Sequence, residues 1–388
     1  MKSASPCYNL SMKILAADIG YGTADILVFD SEMAIENCPK LVLPSRTQLV
    51  ARQISEATRQ GLPAAMSGPT MGGGPSGAEL KKHLEKELQF FASPAAALTF
   101  HDDLRRVAGW GVSIVDDPEA ALPAGGIAIK SGDLELQSLS RAFEELGIGF
   151  DFDGAAIAVQ DHGYSPGASN RRHRFSLWRG ILAGNASLAS LAFPSGSIPE
   201  SYSRMRSAAS IMAGFDRVLL MDTGPAALLG ACLSVSGRPA GKDCLAAYFN
   251  QDRAGRARTP CHAPRLVANI GNGHTLAAII TGGRIDGLFE HHTGMLDRQR
   301  FDSFMHRFTS GGLGDDDVFN DGGHGCIPPS RSYSLEELGP ALVTGPRRDI
   351  VAGGKLRLEM AAPFGDMMLT GCFGLIAAWG LASRDPAF

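Results

Sequence analysis

Short apolar runs alternate with Gly-, Asp- and Asn-rich breaks along most of this 388-residue chain. Ile14–Ala17 and Ile26–Phe29 read as two buried strands, and Asp18, Gly20, Tyr21, Gly22 and Thr23 occupy the bend between them. The pattern returns much later. Leu266 to Gly283 reads as apolar strand, turn, apolar strand, then a Gly-Gly bend into Arg284–Glu290. Its turn carries Asn269, Gly271, Asn272, Gly273, His274 and Thr275. With one extra residue allowed, Asn269, Gly271, Gly273 and Thr275 match Asp18, Gly20, Gly22 and Thr23.

Between these hairpins the pattern switches repeatedly from strand to helix. Strands are expected near Lys40–Leu43, Gly61–Ser67, Gly125–Lys130, Ala155–Val159 and Phe215–Leu220, with a helix over Gln48–Gln60. Ser76 and Glu79 form a capping-box pair before a helix whose apolar face is Leu80, Leu84, Leu88 and Phe91. Asp133 opens a helix faced by Leu136, Leu139, Phe143 and Leu146 and stopped by Gly147. Pro225–Cys232 reads as a further helix, and Ser334–Glu337 opens another before a strand at Leu342-Val343. This βαβ rhythm argues for an α/β fold with a largely parallel, doubly wound sheet.

The two Gly turns suggest chemistry. Glycines let a backbone bend sharply and bring N–H groups close to an anion, and an acid at the strand end, Asp18, can hold a hydrated Mg²⁺ beside phosphate oxygens. A tight turn with no ligand is the plainer reading of either hairpin alone. The pair suggests two similar lobes closing on one nucleotide, residues 13–224 and 225–388, after a disordered extension at 1–12. Gly68–Gly77 joins a strand to a helix N-terminus, an anion-binding arrangement, but lacks the Gly-Lys-Ser/Thr ending of a P-loop. It is a second ligand loop or a plain connection.

Polar residues at strand ends supply further candidates. Gln160-Asp161-His162-Gly163 follows a strand at the end where open α/β sheets bind ligands. The loop after it carries Arg171, Arg172, His173 and Arg174, a solvated basic loop or a substrate-anion clamp. His291 and His292 are adjacent on a strand and so point to opposite faces; one faces the cleft as acid or base, or each has a structural partner. Gly311–Cys326, with Asp315, Asp316, Asp317, Asp321, His324 and Cys326, is Gly-rich and acidic and matches no EF-hand, so it reads as a flexible lid or partner loop, with metal binding the lesser reading.

Composition narrows the classes. A net charge of −4 does not imply a nucleic-acid surface, although local basic clusters exist. No apolar run reaches membrane-spanning length, and no signal peptide precedes the first strand. The seven cysteines are scattered, with no C-x-x-C pair, so a reduced, cytoplasmic protein is expected.

Through Asp18–Thr23 and Asn269–Thr275 the chain resembles the actin, hexokinase and heat-shock chaperone ATPase superfamily. Met221–Ala231 resembles its first connecting segment, Ala341–Arg348 its adenosine loop, and Pro363–Ala378 its last connecting helix. Within that superfamily the chain resembles an uncharacterised prokaryotic family labelled "putative pyruvate formate-lyase activating enzyme", through DIGYGTAD, TMGGGP, NIGNGHT and the TGPRR turn. A radical activase needs a three-cysteine cluster motif, and this sequence has none. The resemblance implies a two-lobed fold of the ribonuclease H-like type, with ATP and Mg²⁺ in the cleft and Gly345, Pro346 and Arg347 at the nucleotide. Where the superfamily has a second Asp, this chain has Asn269, which leaves Asp18 as the metal-side carboxylate and Asp222 as base or water-positioner. His274 adds a donor to a phosphate.

Two functions fit these residues. One is an enzyme that hydrolyses ATP or phosphorylates a small molecule, with Asp161, His162, His291 or His292 at the acceptor. The other is a nucleotide-regulated protein that binds a client with negligible turnover.

Overall fold

The computed structural model describes residues 11–234, 263–383 and 388. Residues 1–10, with Cys7, and residues 235–262, with Cys244 and Cys261, lie outside the described residues. The extension does not reach residue 12, because Met12 exchanges hydrogen bonds with Ser31.

In chain order the strands are β1 (Lys13–Ile19), β2 (Thr23–Asp30), β3 (Lys40–Pro44), β4 (Ala64–Ser67), β5 (Phe90–Ala92), β6 (Val112–Ile114), β7 (Ile127–Lys130) and β8 (Gly154–Val159). They continue as β9 (Ala192–Pro194), β10 (Val218–Met221), β11 (Arg265–Ile270), β12 (His274–Thr281), β13 (Arg284–His292), β14 (Gly325–Ile327), β15 (Ala341–Thr344) and β16 (Leu358–Met360). One sheet runs β3-β2-β1-β8-β10-β9, and a second runs β14-β13-β12-β11-β15-β16. In each, the first strand pairs antiparallel with the strand after its Gly turn, and on its other side lies a parallel pair. Five strands of each sheet therefore share one topology, and the sixth differs: β9 lies beyond β10 in the first, β14 beyond β13 in the second, so each sheet is mixed rather than wholly parallel.

The parallel rhythm in the sequence belongs elsewhere, to a four-stranded sheet β6-β5-β4-β7 inserted between β3 and β8. The helix expected through Phe91 stops at Glu85, since Glu87 takes a positive φ of 59° and Phe90 begins β5. Ser76 is no cap: the helix starts at Gly74, and the Ser76 hydroxyl donates to the Gly73 carbonyl. Asp133 likewise precedes its helix, which begins at Leu136 behind a Glu135 cap.

Successive residues of β1 enter different cores. Ile14 and Ala16 pack with the helices Thr223–Ala231 and Thr370–Ala382, while Leu15, Ala17 and Ile19 pack on the other face. Strands covered on both faces need continuous apolar runs, which is why β1 shows no polar alternation. β11 and β12 divide in the same way, with Val267, Leu276, Ala278 and Ile280 joining the core that β1 shares. The two helices are apolar all round because this core surrounds them. They touch through glycine: a Cβ on Gly230 would overlap the Thr370 carbonyl, and one on Gly374 the Ala226 carbonyl. Among the described residues, no helix is long and apolar enough to cross a membrane.

Candidate functional site

Both Gly turns line a single cavity of about 680 Å³. They are equivalent residue for residue. The Gly20 N–H donates to the Thr23 carbonyl at 2.8 Å, and the Gly271 N–H to the His274 carbonyl at 2.9 Å. His274, not Thr275, stands where Thr23 stands, and no extra residue is needed. Thr275 points away from the cavity; its fully buried hydroxyl shares a 3.0 Å hydrogen bond with Thr293. The turns abut, since a Cβ on Gly22 would come within 2.7 Å of Asn272 Nδ2.

The first turn is rich in carboxyl groups. Asp18 and Asp25 are register partners on β1 and β2, and both line the cavity. Burial pushes the Asp18 carboxyl well above its ordinary range, and repulsion from Asp25 and Asp222 adds to this. Asp25 is pushed up to about 7 by burial, against the lowering effect of a hydrogen bond from the Thr23 hydroxyl. Asp18 Oδ1 and Asp25 Oδ1 are buried without a partner. Asp25 escaped the sequence reading, although an acid inside an apolar strand was a usable signal. Gly371 closes the wall behind Asp18, where a Cβ would overlap the carboxylate.

Around the cavity stand Thr70–Gly74, Gln160–Gly163, Arg204, Glu290, His292, Thr344–Pro346, Met367 and Met368. Arg204 is held by Asp133 at 2.7 Å and donates to the Gln160 carbonyl at 2.9 Å. Arg347 is exposed and takes no part in the lining; its backbone N–H donates to Ile270.

Behind the wall, the expected basic loop is the start of a helix, Asn170–Gly184. Arg174 is completely buried, not solvated. Its guanidinium donates to Glu290 at 2.7 and 3.1 Å, to Asp222 at 2.7 and 2.9 Å, and to the Asp161 carbonyl at 2.7 Å. Burial raises Glu290, but attraction to Arg174 outweighs it and holds the carboxyl below its ordinary range. Asp222 also accepts the N–H groups of Asp161 and Gly224. Four hydrogen bonds occupy its carboxylate and leave no lone pair aimed at the cavity, so Asp222 anchors Arg174 and is not an open base.

Asp161 is similarly engaged, accepting the backbone N–H groups of Gly163 and Met205 at 2.9 Å each. Burial nevertheless raises its carboxyl to about 6. His291 points away from the cavity toward Asp321, 3.0 Å from Nε2, because it and His292 alternate along β13. Its expected role as acid or base fails on that geometry.

His162, His274 and His292 do come together. The His162 and His274 ring centroids are 5.7 Å apart, and those of His274 and His292, a cross-strand pair, 4.8 Å. The fourth member is His324, which the sequence reading placed only in the acidic Gly311–Cys326 segment; it stacks on His162 at 4.8 Å. Burial pushes His274 down to about 4 and His162 well below its ordinary value, so these imidazoles are neutral at pH 7.

The segment expected to be a flexible acidic loop holds a helix, Asp315–Asn320, and β14. Asp315 binds Arg172 and Arg179 at 2.7 Å each and accepts the Cys326 N–H at 2.9 Å. These contacts order the segment.

A mixed α/β chain with one polar cavity at two repeated Gly turns is the class that fold and site define. The chain belongs to the family described as "Putative pyruvate format-lyase activating enzyme (DUF1786)", whose model matches residues 71–350. No curated protein matches. Among solved structures, the chain is similar to a crystal structure of an exopolyphosphatase-like protein, at 10% identity and a TM-score of 0.29. That match covers 86% of this chain and 66% of the other.

Proposed function

We propose that the cavity binds ATP with Mg²⁺ between two actin-like lobes, 13–224 and 225–388, and that the protein hydrolyses ATP or transfers its γ-phosphoryl group to a small substrate. The observation that carries this reading is the repeated turn: two copies of one five-stranded topology present the same Gly-x-Gly bend to one cavity and abut there. Repeated bends of backbone N–H groups suit a chain of phosphates.

The first turn also fits a divalent cation. Two buried carboxylates, each with an unpartnered oxygen, stand on neighbouring strands. Asp18, with Asp25 beside it, would hold the ion, which neutralises phosphate charge when bound. Asn269, in the place of Asp18 in the second copy, offers an amide that hydrogen-bonds without adding charge. Gly345, Pro346, Met367 and Met368 supply an apolar end suited to adenosine, and Gly345 takes a φ of 101° where a Cβ would meet the Ile270 carbonyl and the Asn269 side-chain oxygen.

One observation favours a second reading, a nucleotide-regulated binding protein with negligible turnover. Among the described residues, Asp222, Asp161 and Glu290 are closed by hydrogen bonds, and Asp102, the other carboxylate on that side of the cavity, accepts from Asn170 and Ser203. Calorimetric titration with Mg·ATP tests the shared claim, and phosphate release with and without a panel of small hydroxyl compounds separates the two readings. Absence of Mg·ATP binding refutes both.

A further inference from the structure

Four imidazoles meet where the two six-stranded sheets adjoin, beyond the Gly turns. His162 follows β8, His274 begins β12, His292 ends β13 and His324 precedes β14. One ligand atom each from His162, His274 and His324 lies within 4.8 Å of the others. His162 Nε2 and His324 Nε2 are 2.9 Å apart and point at one another. His274 Nε2 and His324 Nδ1 are buried with no hydrogen-bond partner. Buried ring nitrogens rarely stay unpaired, so this crowding calls for an acceptor of several lone pairs at once.

We propose that His162, His274 and His324 form a three-imidazole centre for one first-row transition-metal dication, zinc foremost, bridging the two sheets with an open position beside His292. A tetrahedral zinc with Zn–N bonds of about 2.0–2.1 Å sets its ligand nitrogens about 3.3 Å apart. The His162–His324 pair is already near that separation, and rotation of the rings closes the rest. An all-nitrogen donor set excludes Mg²⁺ and Ca²⁺, which take oxygen. The nearby thiol is no ligand, because Cys326 Sγ turns to the Leu313 carbonyl at 3.4 Å. His324 is fixed from behind by its N–H to the Glu290 carbonyl at 2.9 Å. Three protein ligands with an open place beside a cavity is the pattern of metal sites that act on a bound molecule. The centre is distinct from the Asp18 position and needs no nucleotide.

The test uses the full chain, stripped with a chelator and free of nucleotide, titrated with Co²⁺. One equivalent should bind, with the visible absorption of a four- or five-coordinate ion, and Zn²⁺ should displace it. His162→Gln and His324→Gln should each weaken binding at least about a hundredfold, while His101→Gln, whose ring faces Trp110 and Arg106 and not the cluster, leaves it unchanged. If a variant fails to fold, X-ray absorption of the cobalt-loaded parent decides, with three imidazoles expected. Lack of stoichiometric binding, a ligand shell of oxygens, or undiminished binding in the folded double variant overturns the proposal. Loss of Mg·ATP binding with the cobalt result intact would count against the nucleotide reading alone.

Discussion

Replacing Arg174 by Met tests whether the buried ion triad holds the site together. The guanidinium makes five hydrogen bonds, four to two carboxylates that are themselves almost completely buried. Methionine keeps much of the apolar stem against Trp178, whose ring lies 4.1 Å from the guanidinium, so the main loss is charge compensation. Removing one partner of a buried pair costs about 3–5 kcal/mol, a large part of the roughly 5–15 kcal/mol by which a folded protein is stable. Urea unfolding followed by tryptophan fluorescence at pH 8 measures the loss. The pH dependence has a definite sign. In the parent, Arg174 keeps Glu290 below its ordinary range, so the pair stabilises above the unfolded carboxyl pKa and fades as pH falls through the folded one. In the variant, the uncompensated carboxylates shift upward, and protonating them relieves the repulsion. The gap between parent and variant should therefore narrow from pH 8 to pH 5. Adding Asp222→Asn and Glu290→Gln to Arg174→Met should restore part of the stability. A loss under about 1 kcal/mol at pH 8, or a gap that widens in acid, would refute the reasoning.

Further outcomes follow from the cavity. Asp18→Asn should weaken Mg·ATP binding at least about tenfold by calorimetry, because it removes the carboxylate that the second Gly turn lacks, whereas Asn269→Asp should retain binding. Gly371→Ala should weaken it too, since the new methyl overlaps the Asp18 carboxylate; unchanged affinity would mean that Asp18 does not face the ligand. Gly374→Ala should lower the thermal midpoint through a clash with the Ala226 carbonyl, at a cost of about 1–3 kcal/mol or more.

The turns were legible because the requirements of a sharp bend at the end of a buried strand are local. Their alignment slipped by one residue because Thr275 matched Thr23 in type, while the hydrogen bond that defines the turn ends at His274. The triad was not legible. Arg174 lies 48 residues from Asp222 and 116 from Glu290, and only the fold turns that basic run inward. The same distance problem hid the place of His324 in the cluster, where it meets His162 across 162 residues. The acidic segment misled by composition: glycines and aspartates suggested mobility, but Asp315 is held by Arg172 and Arg179 from a helix distant in sequence. Leu88 and Phe91 continued a helical spacing past Glu87, where the backbone had already turned.

Side chains at a helix crossing normally act as teeth, ridges set into grooves that must unmesh before one helix can turn on the other. Where Thr223–Ala231 crosses Thr370–Ala382 the teeth are absent, because Gly230 and Gly374 set backbone directly on backbone. Mechanically this is a smooth bearing. Rotation about these two glycines displaces no side chain of theirs, whereas separation opens a void. One helix follows β10 of the first sheet and the other follows β16 of the second. Any movement of the sheets relative to each other is thereby steered toward swivelling about this point and away from pulling apart.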